Sequence, residues 1–258
     1  MESIEEKREK TAKRLGLTTE HMPRHIAVIM DGNGRWAEKK GLPRAEGHRR
    51  GGKAAETTAQ CCVDFGIESL TLYSFSIENW KRPKAEVSIL MDLYTQYLIE
   101  FRPKLMKNNV KLVHLGRLSG LPPAVRKELA RTIKATADNT GMILGLALNY
   151  GGRIEIVDAA RKIAQEYKGG RLRLQDIDEN CISQHLYTAG LAEPDLLIRT
   201  ANEMRISNFL LWQISYSEFY VTRTLWPDFN EAALEKAILA YAERTRRFGG
   251  VKSVSCES

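Results

Sequence analysis

The chain lacks a basic block of the kind that makes a nucleic-acid tail; its arginines are dispersed through segments that otherwise read as structured. No apolar run approaches the roughly 20 residues of a membrane span, and the N-terminus has no apolar signal core. The expectation is therefore a cytoplasmic protein. There is no internal repeat, low-complexity tract or linker. Cysteine is sparse: the four are Cys61, Cys62, Cys181 and Cys256, with no metal-type C-x-x-C spacing. Cys61 and Cys62 are neighbours on an expected helix, so they read as reduced, small buried hydrophobes. Neither G-x-x-x-x-G-K-[ST] nor G-x-G-x-x-G occurs, which leaves a nucleotide site of either type unsupported.

What is present is ordinary globular composition, 43% hydrophobic and 28% charged over 258 residues, with a net charge of +7. That balance favours acidic partners: nucleic acid, anionic lipid surfaces or phosphorylated small molecules. Strand-like and helix-like runs alternate. Strands are expected at 25–30, 69–75, 110–115, 142–149, 196–199 and 219–222. Helices are expected at 48–65, 85–107, 122–137, 154–167, 178–188, 207–212 (capped by Ser207) and 230–247. Residues 1–13 read as a solvated helix or a frayed tail. Continuous apolar strands alternating with helices imply an α/β fold, a central mostly parallel sheet flanked by helices, in a single domain.

Ligands of such sheets sit beyond the carboxyl ends of the strands, so the residues following each strand carry the functional signal. After the first comes Asp31-Gly32-Asn33-Gly34-Arg35. After the second comes Ser76-Ile77-Glu78-Asn79-Trp80-Lys81-Arg82. After the fourth comes Asn149-Tyr150-Gly151-Gly152-Arg153, and after the fifth the stretch from Arg199 to Ser207. Glycines admit close backbone approach to an anion. Arg199 and Arg205 offer guanidinium forks suited to diphosphate, and Ser207 adds a hydroxyl. Asp31 is the anomaly, a carboxylate at the mouth of an anion site. Its bland alternative is a cap on a tight strand-to-helix turn. The helix 85–107 carries large apolar residues on more than one face, which suits either a core or the lining of a long apolar cavity.

Together these segments resemble the cis-prenyltransferases, most closely the bacterial undecaprenyl diphosphate synthases. The motifs are H-I-A-V-I-M-D-G-N-G-R-W-A, G-H-R-R-G, Y-S-F-S-I-E-N-W-K-R-P, N-Y-G-G-R, P-D-L-L-I-R-T, R-I-S-N-F-L-L-W-Q, and L-W-P-D-F followed by R-R-F-G-G. The resemblance covers about residues 25–250. It implies a charged segment at 1–22, a catalytic domain at 23–250 with an apolar tunnel, a tail at 251–258, and a homodimer. It also implies Mg2+-dependent, repeated condensation of isopentenyl diphosphate onto an allylic diphosphate, usually farnesyl diphosphate. A C55-type product is expected, the lipid carrier precursor for cell-wall glycan synthesis. A transient membrane contact at the inner face would accompany release of so long a lipid.

By the same resemblance, Asp31 and Asn79 are catalytic, and Asp31 and Glu218 bind the metal, Glu218 from the neighbourhood of a partner subunit. Gly32, Asn33, Gly34, Arg35, Trp36, Arg44 and His48 surround the allylic diphosphate. Arg199, Arg205, Ile206 and Ser207 hold the isopentenyl diphosphate, and Ser76, Ile77, Glu78, Trp80 and Arg82 belong to a mobile loop over the substrates. Asn79 has been assigned the proton abstraction, but a neutral amide is a weak base and reads better as an orienting group. The tunnel base is expected at Met142, and Ser74 is expected to leave the path open. Two departures stand out: Ala201-Asn202, where a small residue and glycine are usual, and Arg223, at a position that is often acidic. Asp31→Ala is predicted to leave the fold intact while turnover collapses. A short- or medium-chain synthase, a non-catalytic partner subunit and a basic nucleic-acid binder remain as alternatives.

Overall fold

The computed structural model describes residues 2–244. Six runs of β-branched and other apolar residues form strands: β1 (His25–Ile29), β2 (Ser69–Ser76), β3 (Lys111–Leu115), β4 (Ile143–Tyr150), β5 (Leu196–Arg199) and β6 (Glu218–Val221). They make one sheet in the order β3-β4-β2-β1-β5-β6, and every pairing is parallel. All five residues of β1 are buried, as a strand covered on both faces requires.

Alternation sends successive residues to opposite layers. Ile26, Val28, Leu70, Leu72 and Leu144 join the larger core, beneath α3 (Arg44–Asp64), α4 (Lys84–Lys107), α5 (Pro123–Ala135) and α8 (Glu231–Ala242). Ala27, Ile29, Tyr73, Ala147 and Leu197 join the second core, with Phe209, Leu210 and Ile214. The α6 helix (Gly152–Lys168) and α7 (Glu179–His185) follow β4, and α2 (Asn33–Lys39) follows β1.

Two expected elements turn out differently, and the N-terminal segment takes the helical of its two alternatives. Residues 4–15 form α1, closed by a Ser3/Glu6 capping box. It is not a loose tail: Arg8 is buried, and its guanidinium donates to the carbonyls of Thr19, Met22 and Pro23. Its backbone lies so close to Gly66 that a Cβ there would fall 2.4 Å from Ile4 O. The helix expected to begin at His48 begins at Arg44, directly after Pro43. Arg44 and His48 therefore stand one turn apart on one face. No helix forms over 207–212, because Ser207, Asn208 and Leu210 have φ of 48°, 62° and 45°, which a right-handed helix excludes. Asn208 instead caps α6: its carbonyl accepts from Gly152 N at 2.7 Å and its side-chain oxygen from Arg153 N at 2.9 Å. The closing helix ends at Ala242, and the R-R-F-G-G stretch and Cys256 lie outside the described residues. Cys61, Cys62 and Cys181 are free and buried.

Candidate active site

Asp31 follows the carboxyl end of β1 and is not a helix cap. Gly32 occupies the N-cap position of α2 with φ 106°. A Cβ at Gly32 would also meet Leu225 at 2.9 Å, so both conformation and space call for glycine there. Thr200, just beyond β5, fixes the turn: its hydroxyl accepts from Asp31 N at 2.9 Å and donates to Asp31 O at 2.7 Å.

The Asp31 carboxylate is held by two guanidinium groups, Arg199 Nη2 at 2.9 Å and Arg35 Nη2 at 3.2 Å. Burial pushes the Asp31 carboxyl up. The hydrogen bonds and charges of Arg199 and Arg35 outweigh it and hold the group below the usual carboxylate range. Arg199 is itself 6% exposed and also donates to Ser207 Oγ at 2.7 Å and to the carbonyl of Arg205; its Nε is buried without a partner. Asp31 is thus the counter-ion of a buried arginine as well as an open carboxylate. Glu203, which the sequence reading did not single out, pairs with Arg35 at 3.0 Å and with Arg205. Ala201 and Asn202 take φ of 67° and 58°, so the unusual pair does adopt the left-handed turn that glycine normally serves.

The second-strand loop is a short 3-10 turn, Ile77–Lys81. Asn79 Oδ1 accepts from Ser76 N at 3.1 Å, so its basic atom is engaged and its amide N–H groups are the free donors. Trp80 donates to Asn149 Oδ1 at 2.8 Å and packs edge-on against Phe75, while Glu78 accepts from Asn208 at 2.8 Å. Ile77 packs over Gly151, where a Cβ would lie 3.0 Å from its Cδ1. The N-Y-G-G-R segment thereby supports this loop from beneath and does not line the cavity. Asn149, at φ 55°, also donates to the carbonyls of Arg117 and Ser119.

On the α3 side, Arg44 lies over Gly34, whose missing side chain makes the room: a Cβ would sit 2.7 Å from the guanidinium carbon. His48 is mostly buried, and its Nε2 has no hydrogen-bond partner. Burial, reinforced by the charges of Arg82 and Arg44, pulls its pKa down to about 4. It is neutral at pH 7.

These groups ring the mouth of a cavity of about 450 Å3. Asp31, Asn33, His48, Ser76, Asn79, Arg82, Arg199, Arg205 and Ser207 line it. Arg35 stands just behind as a partner of Asp31, and Arg44 pairs with Glu86 outside the lining. Trp36 turns away to donate to Asp228 at 2.8 Å. Gly32, Gly34, Ile77, Glu78, Trp80 and Ile206 shape the loops without lining the cavity. Below the mouth the walls are apolar, formed by Gly51, Gly52 and Ala55 of α3 and by Leu90, Leu93, Tyr94, Tyr97, Leu98 and Phe101 of α4. The sheet-side residues are Leu72, Ser74, Leu112, Leu144 and Leu146. Met142, expected at the base, is buried but outside the lining. It precedes β4, while Leu105, Leu112 and Leu144 line the cavity far from the mouth, toward the amino ends of β3 and β4; Leu112 and Leu144 are direct partners in the β3–β4 register.

Glu218 is not brought to this mouth within one chain. It pairs with Leu196 at the amino end of the β5–β6 ladder, whereas Arg199 pairs with Val221 at the carboxyl end. Three residues of strand, about 10 Å, separate the two ends. Glu218 instead faces Arg244 at 2.7 Å. Among the described residues no group of three or more His, Cys, Asp or Glu side chains is arranged to hold a metal. The donor set nevertheless suits magnesium carried by a diphosphate. That ion needs hard oxygens and takes one or two carboxylates plus phosphate oxygens and water. Asp31 supplies the carboxylate, and the buried, unpartnered Asn33 Oδ1 is a second hard oxygen on the same cavity.

The family profile described as "Putative undecaprenyl diphosphate synthase" matches residues 29–249. The isoprenyl transferase of Geobacillus kaustophilus is 50% identical over 232 residues, 90% of each chain. The ditrans,polycis-undecaprenyl-diphosphate synthase ((2E,6E)-farnesyl-diphosphate specific) of Micrococcus luteus is 46% identical over 245 residues, 95% of this chain and 98% of that one. Among solved structures, lavandulyl diphosphate synthase from Lavandula x intermedia in complex with dimethylallyl diphosphate is similar with a TM-score of 0.87. Its identity is 40%, over 89% of this chain and 99% of that one.

Proposed function

We propose that this chain, which belongs to the undecaprenyl diphosphate synthase family and is a prenyltransferase, joins isopentenyl diphosphate repeatedly to an allylic primer, farnesyl diphosphate. The product is then a C55-type polyprenyl diphosphate. The observation that carries this reading is one cavity with a charged mouth and an apolar body, lying between the sheet and α3 and α4. Two diphosphates need two cationic cradles, and a growing isoprenoid needs a dry bore.

In this reading Arg199, Arg205 and Ser207 bind isopentenyl diphosphate, and Arg35, Arg44 and His48 bind the allylic diphosphate with the glycine-loop backbone. The allylic C–O bond breaks, and diphosphate carries away the electron pair. The isopentenyl double bond attacks the allylic carbon, a new C–C bond forms, and transfer of one proton to the released diphosphate sets the new cis double bond. Bound magnesium supplies charge neutralisation to the leaving diphosphate. Asp31 holds Arg199 and Arg35 in place and presents a carboxylate for that ion. Asn79, its carbonyl already accepting from Ser76, orients substrate through its N–H donors and is not the base. The apolar walls keep water from the allylic cation.

A homodimer is part of the proposal, and a metal role for Glu218 requires the second copy. The edge strand β6, with Phe219 and nearby Tyr216 exposed, supports a partner surface there. Among the described residues no helix is long and apolar enough to cross a membrane, so product release to a bilayer would be a peripheral event. The test is incubation of the purified protein with Mg2+, farnesyl diphosphate and labelled isopentenyl diphosphate, followed by mass spectrometry. A C55 diphosphate is expected. No incorporation would refute the reading in favour of a non-catalytic subunit. A second reading, a shorter product, is favoured by the bulky Leu105, Leu112 and Leu144 in the cavity lining, and the same spectrum decides it.

A further inference from the structure

Two arginines and a neutral histidine at the allylic side of the mouth converge on one carboxylate that no sequence motif singled out. Glu86 lies in the first turn of α4. Its Oε1 is 3.1 Å from Arg82 Nη1 and 3.8 Å from His48 Nε2, and its Oε2 is 3.5 Å from Arg44 Nε. Arg82 and His48 line the cavity, and Arg44 lies against Gly34 of the glycine loop. These donors come from two separate segments: the loop before α4 and the first two turns of α3. A first-turn acid that merely complements the helix dipole has no need of them. Nor does the 3.8 Å approach satisfy His48: its Nε2 stays buried without a hydrogen bond. The cluster is a set of diphosphate donors gathered around an anion with two oxygens, and it leaves one donor unfulfilled.

Resting on the function proposed above, we propose that Glu86 is a resident counter-anion of the allylic site. It holds Arg44, His48 and Arg82 in the array a diphosphate needs, and it competes with that diphosphate for them. Binding is an exchange: phosphate oxygens replace the Glu86 carboxylate on the three donors. When diphosphate is released after each condensation, Glu86 returns and neutralises the array. The site is thus kept from holding its leaving group too tightly, which a repeating reaction requires. No bond is made or broken at Glu86; it acts through its partners and is a positioning residue.

The experiment is calorimetric titration of inorganic pyrophosphate, and separately of farnesyl diphosphate without isopentenyl diphosphate. The proteins are the wild type, Glu86→Gln, Glu86→Ala, and Glu46→Gln as a charge control, since Glu46 is an exposed acid paired with Arg49. Removing one competing charge at this distance predicts roughly tenfold tighter binding of both ligands to the two Glu86 variants. Glu46→Gln should bind as the wild type does. In steady state the Glu86 variants should show a lower KM for the allylic substrate and a lower kcat, with the KM for isopentenyl diphosphate unchanged. Equal or weaker pyrophosphate binding in folded Glu86→Gln and Glu86→Ala overturns the inference and makes Glu86 a structural organiser. If the wild type binds pyrophosphate but incorporates no isopentenyl diphosphate, the proposed function fails while tighter binding in the Glu86 variants still upholds the exchange.

Discussion

Asp31 carries two burdens that a single substitution separates. As the counter-ion of Arg199, it keeps a guanidinium that is 6% exposed from being buried without a carboxylate. Breaking a buried pair by removing one partner costs about 3–5 kcal/mol. Asp31 is 29% exposed, and Arg199 retains the Ser207 hydroxyl and the Arg205 carbonyl, so Asp31→Ala should cost about 2–3 kcal/mol. For a chain of this size that lowers Tm by about 4–12 °C. The fold is still expected to survive Asp31→Ala, but with less stability, so Asp31→Asn becomes the better probe. It keeps an acceptor for Arg199 and should cost only about 1–2 kcal/mol of stability. Turnover, however, should fall by about 10³ or more, because the charge that positions the leaving diphosphate is gone. Scanning calorimetry and labelled isopentenyl diphosphate incorporation measure the two effects. The pH sign follows from the depressed Asp31 pKa: the stabilisation is present above the ordinary carboxylate range and is lost as pH falls through the folded value. Asp31→Asn should be less acid-sensitive than the wild type. An Asp31→Asn enzyme retaining more than a tenth of wild-type turnover would refute the catalytic role. An Asp31→Ala protein that melts at the wild-type temperature would refute the counter-ion argument.

Ala201→Gly and Asn202→Gly relieve left-handed backbone at φ 67° and 58°. Each should gain up to about 1 kcal/mol, raising Tm by about 2–4 °C, as thermal melts will show. Leu144→Ala opens the deep end of the cavity and should cost about 2–5 kcal/mol. Its products should be longer than those of the wild type, read by mass spectrometry; an unchanged distribution would remove Leu144 from the floor. Gly52→Ala places a Cβ 2.1 Å from the Tyr97 ring, so the phenol must leave its bond to the Arg49 carbonyl. A loss of about 1–3 kcal/mol with an altered product length is expected. His48, with its pKa pulled down from 6.5 to about 4, makes stability fall as pH drops from about 6.5 towards 4, because the unfolded chain takes up the proton first. His48→Gln should flatten the Tm profile across that window.

The layer architecture was legible in the sequence because it is written locally. Apolar runs such as I-A-V-I and M-I-L-G-L-A-L, short and set between helix-period runs, read as strands covered on both faces. All six strands fall where the pattern put them, within two residues. The loops at the carboxyl edge were legible for the same reason: a sheet of this kind puts its ligands there, and Asp31 and Asn79 lie just past β1 and β2, Arg199 ends β5, and Ser207 lies in the loop after it. Ser207 misled as a helix cap, since its left-handed neighbours are dictated by Asn208 reaching back to α6, a contact across 55 residues. Glu86 left only a faint trace, an i,i+4 spacing from Arg82 that reads as an ordinary surface pair.

By itself the sequence determined which segments form strands and helices, which strand ends carry charge, and the family. Tertiary structure alone decided what those charges do. Asp31 and Arg199 are 168 residues apart, and only the β1–β5 pairing joins them into an ion pair that stabilises as well as serves. Parallel register sends Glu218 to the far edge, and Leu112 and Leu144, not Met142, line the cavity. The physical reason is common to all of these. Local pattern specifies an element through the period of its own side chains, whereas charge pairing and cavity depth depend on strand order and register, which are properties of contacts between segments distant in the chain.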